Sequence, residues 1–290
     1  DKRSVSEPSG EDNVMGAKDG FIEVVRVNMS LLRRRMKTPQ LKLELFVKGS
    51  KSQTDLCLCY MADRVPKSLI AQIKARLDEM ELESILSSGY LQPFLENRRG
   101  CLFDTVGTTQ RPDVLCAKLL EGRVGLLIDG TPFALVIPKL FCESFQTMDD
   151  YCYRPAYTTL VRWIKYTAFL VAVLLPALYV AIALHHPELL NRTLLLILAD
   201  AEENAPISLT AEAIGVLLVY EIIREAGLRL PKSVGGAVSI VAGLIIGDAA
   251  VASGLISTPM LTVTAIAVIA GFVVPDLAQS ITLLRLAFLL

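Results

Sequence analysis

Three carboxylates stand within or beside apolar runs in the second half of the chain. Glu212 and Glu221 belong to "ISLTAEAIGVLLVYEIIREAG" (207–227), and Asp248 follows "SIVAGLIIG". A carboxylate at the centre of a membrane helix costs about 2.5–3.5 kcal/mol on insertion scales, so it faces a bundle interior, a partner or water. The chemistry open to such groups is the attraction and gating of cations. Glu212 and Glu221 are nine residues apart, which at ~100° per residue sets them on opposite faces of one helix. Glu225 shares the face of Glu221, and Arg224, three residues from Glu221, is a local counter-ion. Two placements stay open for two of these acids: Glu221 in a bundle interior or among headgroups, and Asp248 at a pore position or an interfacial helix end.

Bond-making chemistry has no such footing. No nucleophile and base stand together and no glycine-rich loop opens a helix, so no catalytic residue is assigned. "IDGTP" reads as a turn, not a phosphate loop. Cys57, Cys59, Cys101, Cys116, Cys142 and Cys152 all precede residue 155, with neither histidine near them in sequence. A zinc site needs Cys/His pairs at short spacing, and Cys57-x-Cys59 stands alone in the strand-like "TDLCLCYM". The six read as small core hydrophobes in a reducing compartment, with no metal and no cofactor expected.

The segments that carry the acids look like membrane helices. "YTAFLVAVLLPALYVAIAL" (166–184) has nineteen residues and no charge, roughly 28 Å of helix against a hydrocarbon core of ~30 Å. Pro176 within it should kink the helix, and the carbonyl it frees needs a partner in the bundle. Gly235, Ser239, Gly243 and Gly247 recur at every fourth position, winding about 120° as an oblique groove that lets a second helix approach. "MLTVTAIAVIAGFVV" (260–274) reads as a further span closed by Pro275-Asp276, and "TLLLILA" (193–199) as a re-entrant or interfacial segment. Arg154, Arg162 and Lys165 precede the first span while the loop beyond it has Arg192 alone, which puts the preceding residues in the cytoplasm.

Those preceding residues differ in kind. Residues 1–165 hold 24 of the 29 basic and 21 of the 30 acidic side chains, although the chain as a whole is 52% hydrophobic with mean hydropathy +0.48. A net charge of −1 argues against a nucleic-acid binder. "DGFIEVVRVNMSLLRRRM" has a largely apolar helical face, 41–47 and 54–61 read as an antiparallel strand pair, and helices are predicted from Pro66 and over 111–122. Asp129-Gly130 between two β-rich runs predicts a hairpin with a tight type I′ turn. The expected organisation is a linker over 1–12, a cytoplasmic α/β domain over 13–155 and an α-helical multi-span membrane domain over 156–290. The chain begins without Met and stops inside an apolar run, so both ends read as truncated.

At this level of detail the chain resembles the A subunits of the bacterial spore germinant receptors, the GerA family. The resemblance rests on "SVSEP", "DGFIEVVRVNMSLLRRRM", "SSGY", "RPDV", "LLEGRVGLLIDGTPFALVIPKLF", "HPELL", "REAGLRLP" and "GGAVSIVAGLIIGDAAVASGLIS". Gln110 and Tyr153 stand where the family usually has an acidic residue, and Lys18-Asp19 replaces the commoner Arg-Glu. The stage V AF sporulation proteins share the same motifs. The resemblance implies a multi-pass protein of the spore inner membrane that acts with a transporter-like B subunit and a lipoprotein C subunit. It also implies a homo-oligomer, a pentamer, conducting monovalent cations when germination starts; a non-conducting membrane scaffold is the alternative. Membrane lipid is the remaining partner.

Overall fold

The computed structural model describes residues 8, 10, 11, 16–96, 101–189, 191–193, 195, 196, 199, 207–231 and 243–289. The chain divides into two compact units, 1–158 and 159–290.

In the first unit, α1 (Val25–Arg35) precedes the antiparallel pair β1 (Leu41–Lys48) and β2 (Thr54–Met61), in register from Leu41 opposite Met61 to Lys48 opposite Thr54. Then come α2 (Lys67–Asp78), the single turn α3 (Gln92–Leu95), β3 (Gly107–Thr109), α4 (Pro112–Leu120), β4 (Val124–Ile128) and β5 (Ala134–Ile137). The strands form one antiparallel sheet in the order β1-β2-β4-β5-β3.

Both faces of that sheet are covered. Leu32 of α1 and Leu115 and Leu119 of α4 pack with Cys57, Cys59 and Leu127 on one side. Ile73 and Leu77 of α2 pack with Leu56, Leu58 and Leu126 on the other. A strand buried on both faces cannot alternate apolar with polar, hence the unbroken run "VGLLI" in β4. Gly125 in that run is a place of close approach, because a methyl group there would stand 2.7 Å from Leu115 Cδ1 of α4. Cys57, Cys59 and Cys116 are buried within this core, and burial pushes the Cys59 thiol well up and the Cys116 thiol up to about 11.

Asp129-Gly130 is a hairpin end of a different kind from the one its sequence predicts. Five residues, 129–133, separate β4 from β5, and Gly130 has φ +84° while Asp129 does not enter the left-handed region. The pair is held from outside the hairpin. Asp129 Oδ1 accepts from the amide of Val25 at 2.9 Å, and the Gly130 amide donates to Glu23 O at 2.7 Å. The first turn of α1 lacks a capping side chain of its own, so Asp129 supplies the acceptor its orphan amide needs.

The second unit is helical. Its described helices are α5 (Pro155–His185, entering from the first unit), α6 (Leu209–Arg229), α7 (Gly243–Ala252), α8 (Thr258–Phe272) and α9 (Ala278–Leu289). Among the described residues α5 is the one helix long and apolar enough to cross a membrane. The segment 260–274, expected as a span of its own, forms a 15-residue helix of roughly 22 Å that ends before Pro275. Most of 193–206 lies outside the described residues. Val180, Ala183, Leu209, Ala213, Leu217, Met260 and Leu289 make the unit's core, whereas Leu170, Leu174 and Leu178 form an exposed stripe along α5 at every fourth position.

Candidate functional site

The acids of the helical unit are set by helix ends and by a neighbouring helix. Glu212 lies in the first turn of α6 and is 2% exposed. One of its oxygens, Oε1, accepts from both the amide (2.6 Å) and the hydroxyl (2.7 Å) of Ser257, the N-cap of α8. Ser257 Oγ in turn accepts from the Met260 amide. The carboxylate therefore sits at two helix N-termini at once, where the unpaired amides and the dipoles favour negative charge.

Glu221 takes another partner on another side of α6. It is half-buried; its Oε1 accepts from Thr282 Oγ1 of α9 at 2.8 Å, and its Oε2 pairs with Arg224 at 2.6 Å. Glu225 pairs with Arg229 instead, at 2.6 Å on the exposed side. Asp248 is exposed on α7. The three candidate acids thus do not converge on one centre.

Of the glycine stripe, Gly235 and Ser239 lie outside the described residues. A methyl group built on Gly243 meets nothing within 4 Å, and one on Gly247 meets only Leu261 Cδ2 at 4.0 Å. The close helix packing read from the stripe is therefore not made at Gly243 or Gly247 by the described part of this chain. The reason is that α7 turns its side chains, Leu244 and Ile245 among them, outward.

Sequence reasoning missed Arg285. This side chain of α9 is 3% exposed; its Nε donates to Ala172 O of α5 at 2.8 Å and an Nη to Ala267 O of α8 at 3.1 Å. A signal existed, since Pro176 must leave the carbonyl four residues before it without an amide donor.

In the α/β unit the charged groups pair with each other. Arg111 of "RPDV" forks onto Asp113 (3.1 and 2.8 Å) and donates to Ala17 O at 2.8 Å, tying the segment before α1 to α4. With Gln110 in the preceding position, the acid that Arg111 meets is two residues later. Glu143 accepts from Lys118 at 2.8 Å, from Arg123 and from the Leu140 amide at 3.0 Å. Burial pushes the Glu143 carboxyl up, but these three donors outweigh it and hold it below the ordinary range. A hollow of about 340 Å³ beside the Asp129 loop is lined by Ser52, Gln53, Asp55 and Ile85 among others, yet its Ser52 hydroxyl is taken by the Ile85 amide. No group of three or more His, Cys, Asp or Glu able to hold a metal occurs among the described residues.

With this geometry in hand, known proteins supply the family. The chain matches the family described as Bacillus/Clostridium GerA spore germination protein over residues 1–290. It is 38% identical over 292 residues to Spore germination protein KA of Bacillus subtilis (strain 168), covering 100% of this chain and 54% of that protein. It is 34% identical over 288 residues to Spore germination protein GerLA of Bacillus cereus, covering 99% of this chain and 58% of that one. The crystal structure of the N-terminal domain of the A subunit of the Bacillus megaterium spore germinant receptor GerK3 is similar at 38% sequence identity and a TM-score of 0.35, covering 42% of this chain and 97% of that domain. The chain spans about half the length of the two full-length relatives. The family match runs from the first residue to the last, through both units, and the chain belongs to the GerA family of spore germination proteins.

Proposed function

We propose that this chain is the A subunit of a nutrient germinant receptor in the spore inner membrane, working with a transporter-like B subunit and a lipoprotein C subunit. Residues 13–155 face the cytoplasm and 156–290 form the membrane domain. As a homo-oligomer, a pentamer by family resemblance, it conducts monovalent cations when nutrient binds the receptor. The observation that carries the membrane half of this reading is the distribution of polarity in the helical unit. Glu212, Thr264, Ser280 and Arg285 are buried while Ile222, Leu244 and Ile269 are exposed, the arrangement that a hydrocarbon surround favours. Asp248, exposed, and Glu221, half-buried, are the acids for the cation path. Glu212 is a gating tie, and Gly243 and Gly247, turned outward, meet a neighbouring copy.

Reconstitution of the whole receptor in planar bilayers under a potassium gradient tests this. Nutrient should evoke a conductance that Asp248→Asn and Glu221→Gln reduce, and Gly243→Leu should abolish assembly. Cys101, exposed in the α/β unit, should resist an impermeant thiol reagent added outside intact cells and react after permeabilisation. The non-conducting scaffold gains from one observation, that Glu212 and Glu221 already have partners within the chain. A receptor that assembles and binds nutrient yet passes no current establishes that alternative.

A further inference from the structure

In an unbroken α-helix the amide of residue 176 donates to the carbonyl of residue 172. Residue 176 is Pro, inside α5, so the Ala172 carbonyl has no donor on its own helix. Surrounded by apolar side chains, such a group must be satisfied by another helix. Arg285 of α9 does this with Nε at 2.8 Å, and its guanidinium, with five N–H donors, has an Nη left for Ala267 O of α8. Gly271 of α8 faces the same group, a methyl there standing 3.5 Å from an Nη and 3.9 Å from Ala172 Cβ. One turn earlier on α9, Thr282 donates to Glu221 of α6. The short helix α9 thereby holds polar ties to α5, α6 and α8, and the Arg285 tie bridges two of those three.

We infer that Arg285 is a positioning residue that completes the hydrogen bond Pro176 leaves open, and that release of this tie is a step in opening the subunit. The second half rests on the conducting function proposed above. Both acceptors of Arg285 are neutral carbonyls, so the tie exchanges for water more readily than an ion pair when the helices part. Closing it again restores the donor to Ala172. Pro176 removes an amide and Arg285, 109 residues later, replaces it, so the bond to Ala172 O can open without unwinding α5.

The pairing predicts a rescue that a merely structural arginine would not show. In the whole protein, Arg285→Met removes the donor at similar length, while Pro176→Ala gives Ala172 an amide on its own helix. Arg285→Met should lower the melting midpoint in detergent by about 5 °C or more, and Pro176→Ala in that background should recover at least half of the loss. Additive effects of the two changes, or an unchanged midpoint for Arg285→Met, overturn the tie. If Arg285→Met does not fold, recovery of folded protein in the double variant is the readout, and its failure overturns the tie equally. In bilayers, Arg285→Met in the whole receptor should raise potassium flux without nutrient about tenfold, and adding Pro176→Ala should bring it back down. Coupling in the melts with no change in flux, in a receptor whose parent conducts, defeats the opening step alone. A parent that never conducts defeats the proposed function and leaves the melting result standing.

Discussion

The two units of the chain solve the burial of charge in opposite ways. In the α/β unit, cations meet carboxylates: Glu143 takes Lys118 and Arg123, and Arg111 takes Asp113, all at the margins of a core of Leu, Ile and Val. In the helical unit, the most buried charges meet backbone or hydroxyl groups: Arg285 two carbonyls, Glu212 an amide and a hydroxyl. With the helical unit placed in a membrane as proposed above, the difference follows from what the outside offers. Water rewards charge at the surface and lets apolar groups form the core. Hydrocarbon makes apolar side chains acceptable outside and leaves polar groups to satisfy one another, or exposed backbone, within. The same residue types therefore carry different meaning on the two sides of residue 158.

The sharpest test of that contrast pairs two leucines. Leu126, fully buried in β4, should lose about 2–5 kcal/mol on truncation to Ala, read as faster hydrogen exchange across β2 and β4 in the whole protein. Leu244 of α7 is 64% exposed, and Leu244→Ala should leave exchange and melting in detergent unchanged. Equal losses from both would mean that α7 is covered within the chain and would remove the contrast.

Charge pairing comes next in size. Glu143→Gln leaves Lys118 and Arg123 with only the more exposed Glu121 as a carboxylate partner and should destabilise the α/β unit by about 2 kcal/mol at neutral pH, again by hydrogen exchange. The pH dependence has a definite sign. A carboxyl held below its ordinary value stabilises the fold above the unfolded pKa, and that contribution disappears as pH falls through the lower folded value. Parent and Glu143→Gln should thus differ most above pH ~4.5 and converge in more acidic solution. A gap that widens on acidification contradicts the pairing.

The hairpin end gives the smaller effects. Gly130→Val places a β-branched residue at φ +84° and should cost about 1–2 kcal/mol, although a side chain there meets no neighbour. Asp129→Ala removes the acceptor of the Val25 amide and should cost about 1 kcal/mol, with fraying confined to the first turn of α1. Fraying of β4 and β5 instead, with α1 intact, would return Asp129 to a purely local turn role.

The positions of β1, β2, β4 and β5 and of α1, α2 and α4 were legible because their signals are local, whereas the three-residue β3 and the single turn α3 are too short to carry a periodicity and were not predicted. Alternation in 41–47, the apolar face of α1 and Pro66 before α2 each need only a few residues of context. The Asp129-Gly130 dipeptide marked where the chain turns for the same reason. It did not specify the turn, because five residues rather than two lie between the strands and the carboxylate serves a helix 104 residues away. The cover of the sheet's second face was equally out of reach, since an antiparallel sheet commonly keeps one face in water and it takes the docking of α2, of Leu95 in α3 and of the segment between them to remove it.

What the sequence alone determined is the division into a charged first part and an apolar second part, and the family, which rests on motifs spread over both. It also posed two requirements: an apolar helix containing Pro176 needs a donor for the Ala172 carbonyl, and a carboxylate at Glu212 needs amides or cations nearby. Only the tertiary structure decided which groups meet them. Arg285 and Ser257 are 113 and 45 residues from the groups they serve, and no periodicity reaches across such distances, because the partner of a buried polar group is chosen by how helices pack and not by where residues fall along the chain.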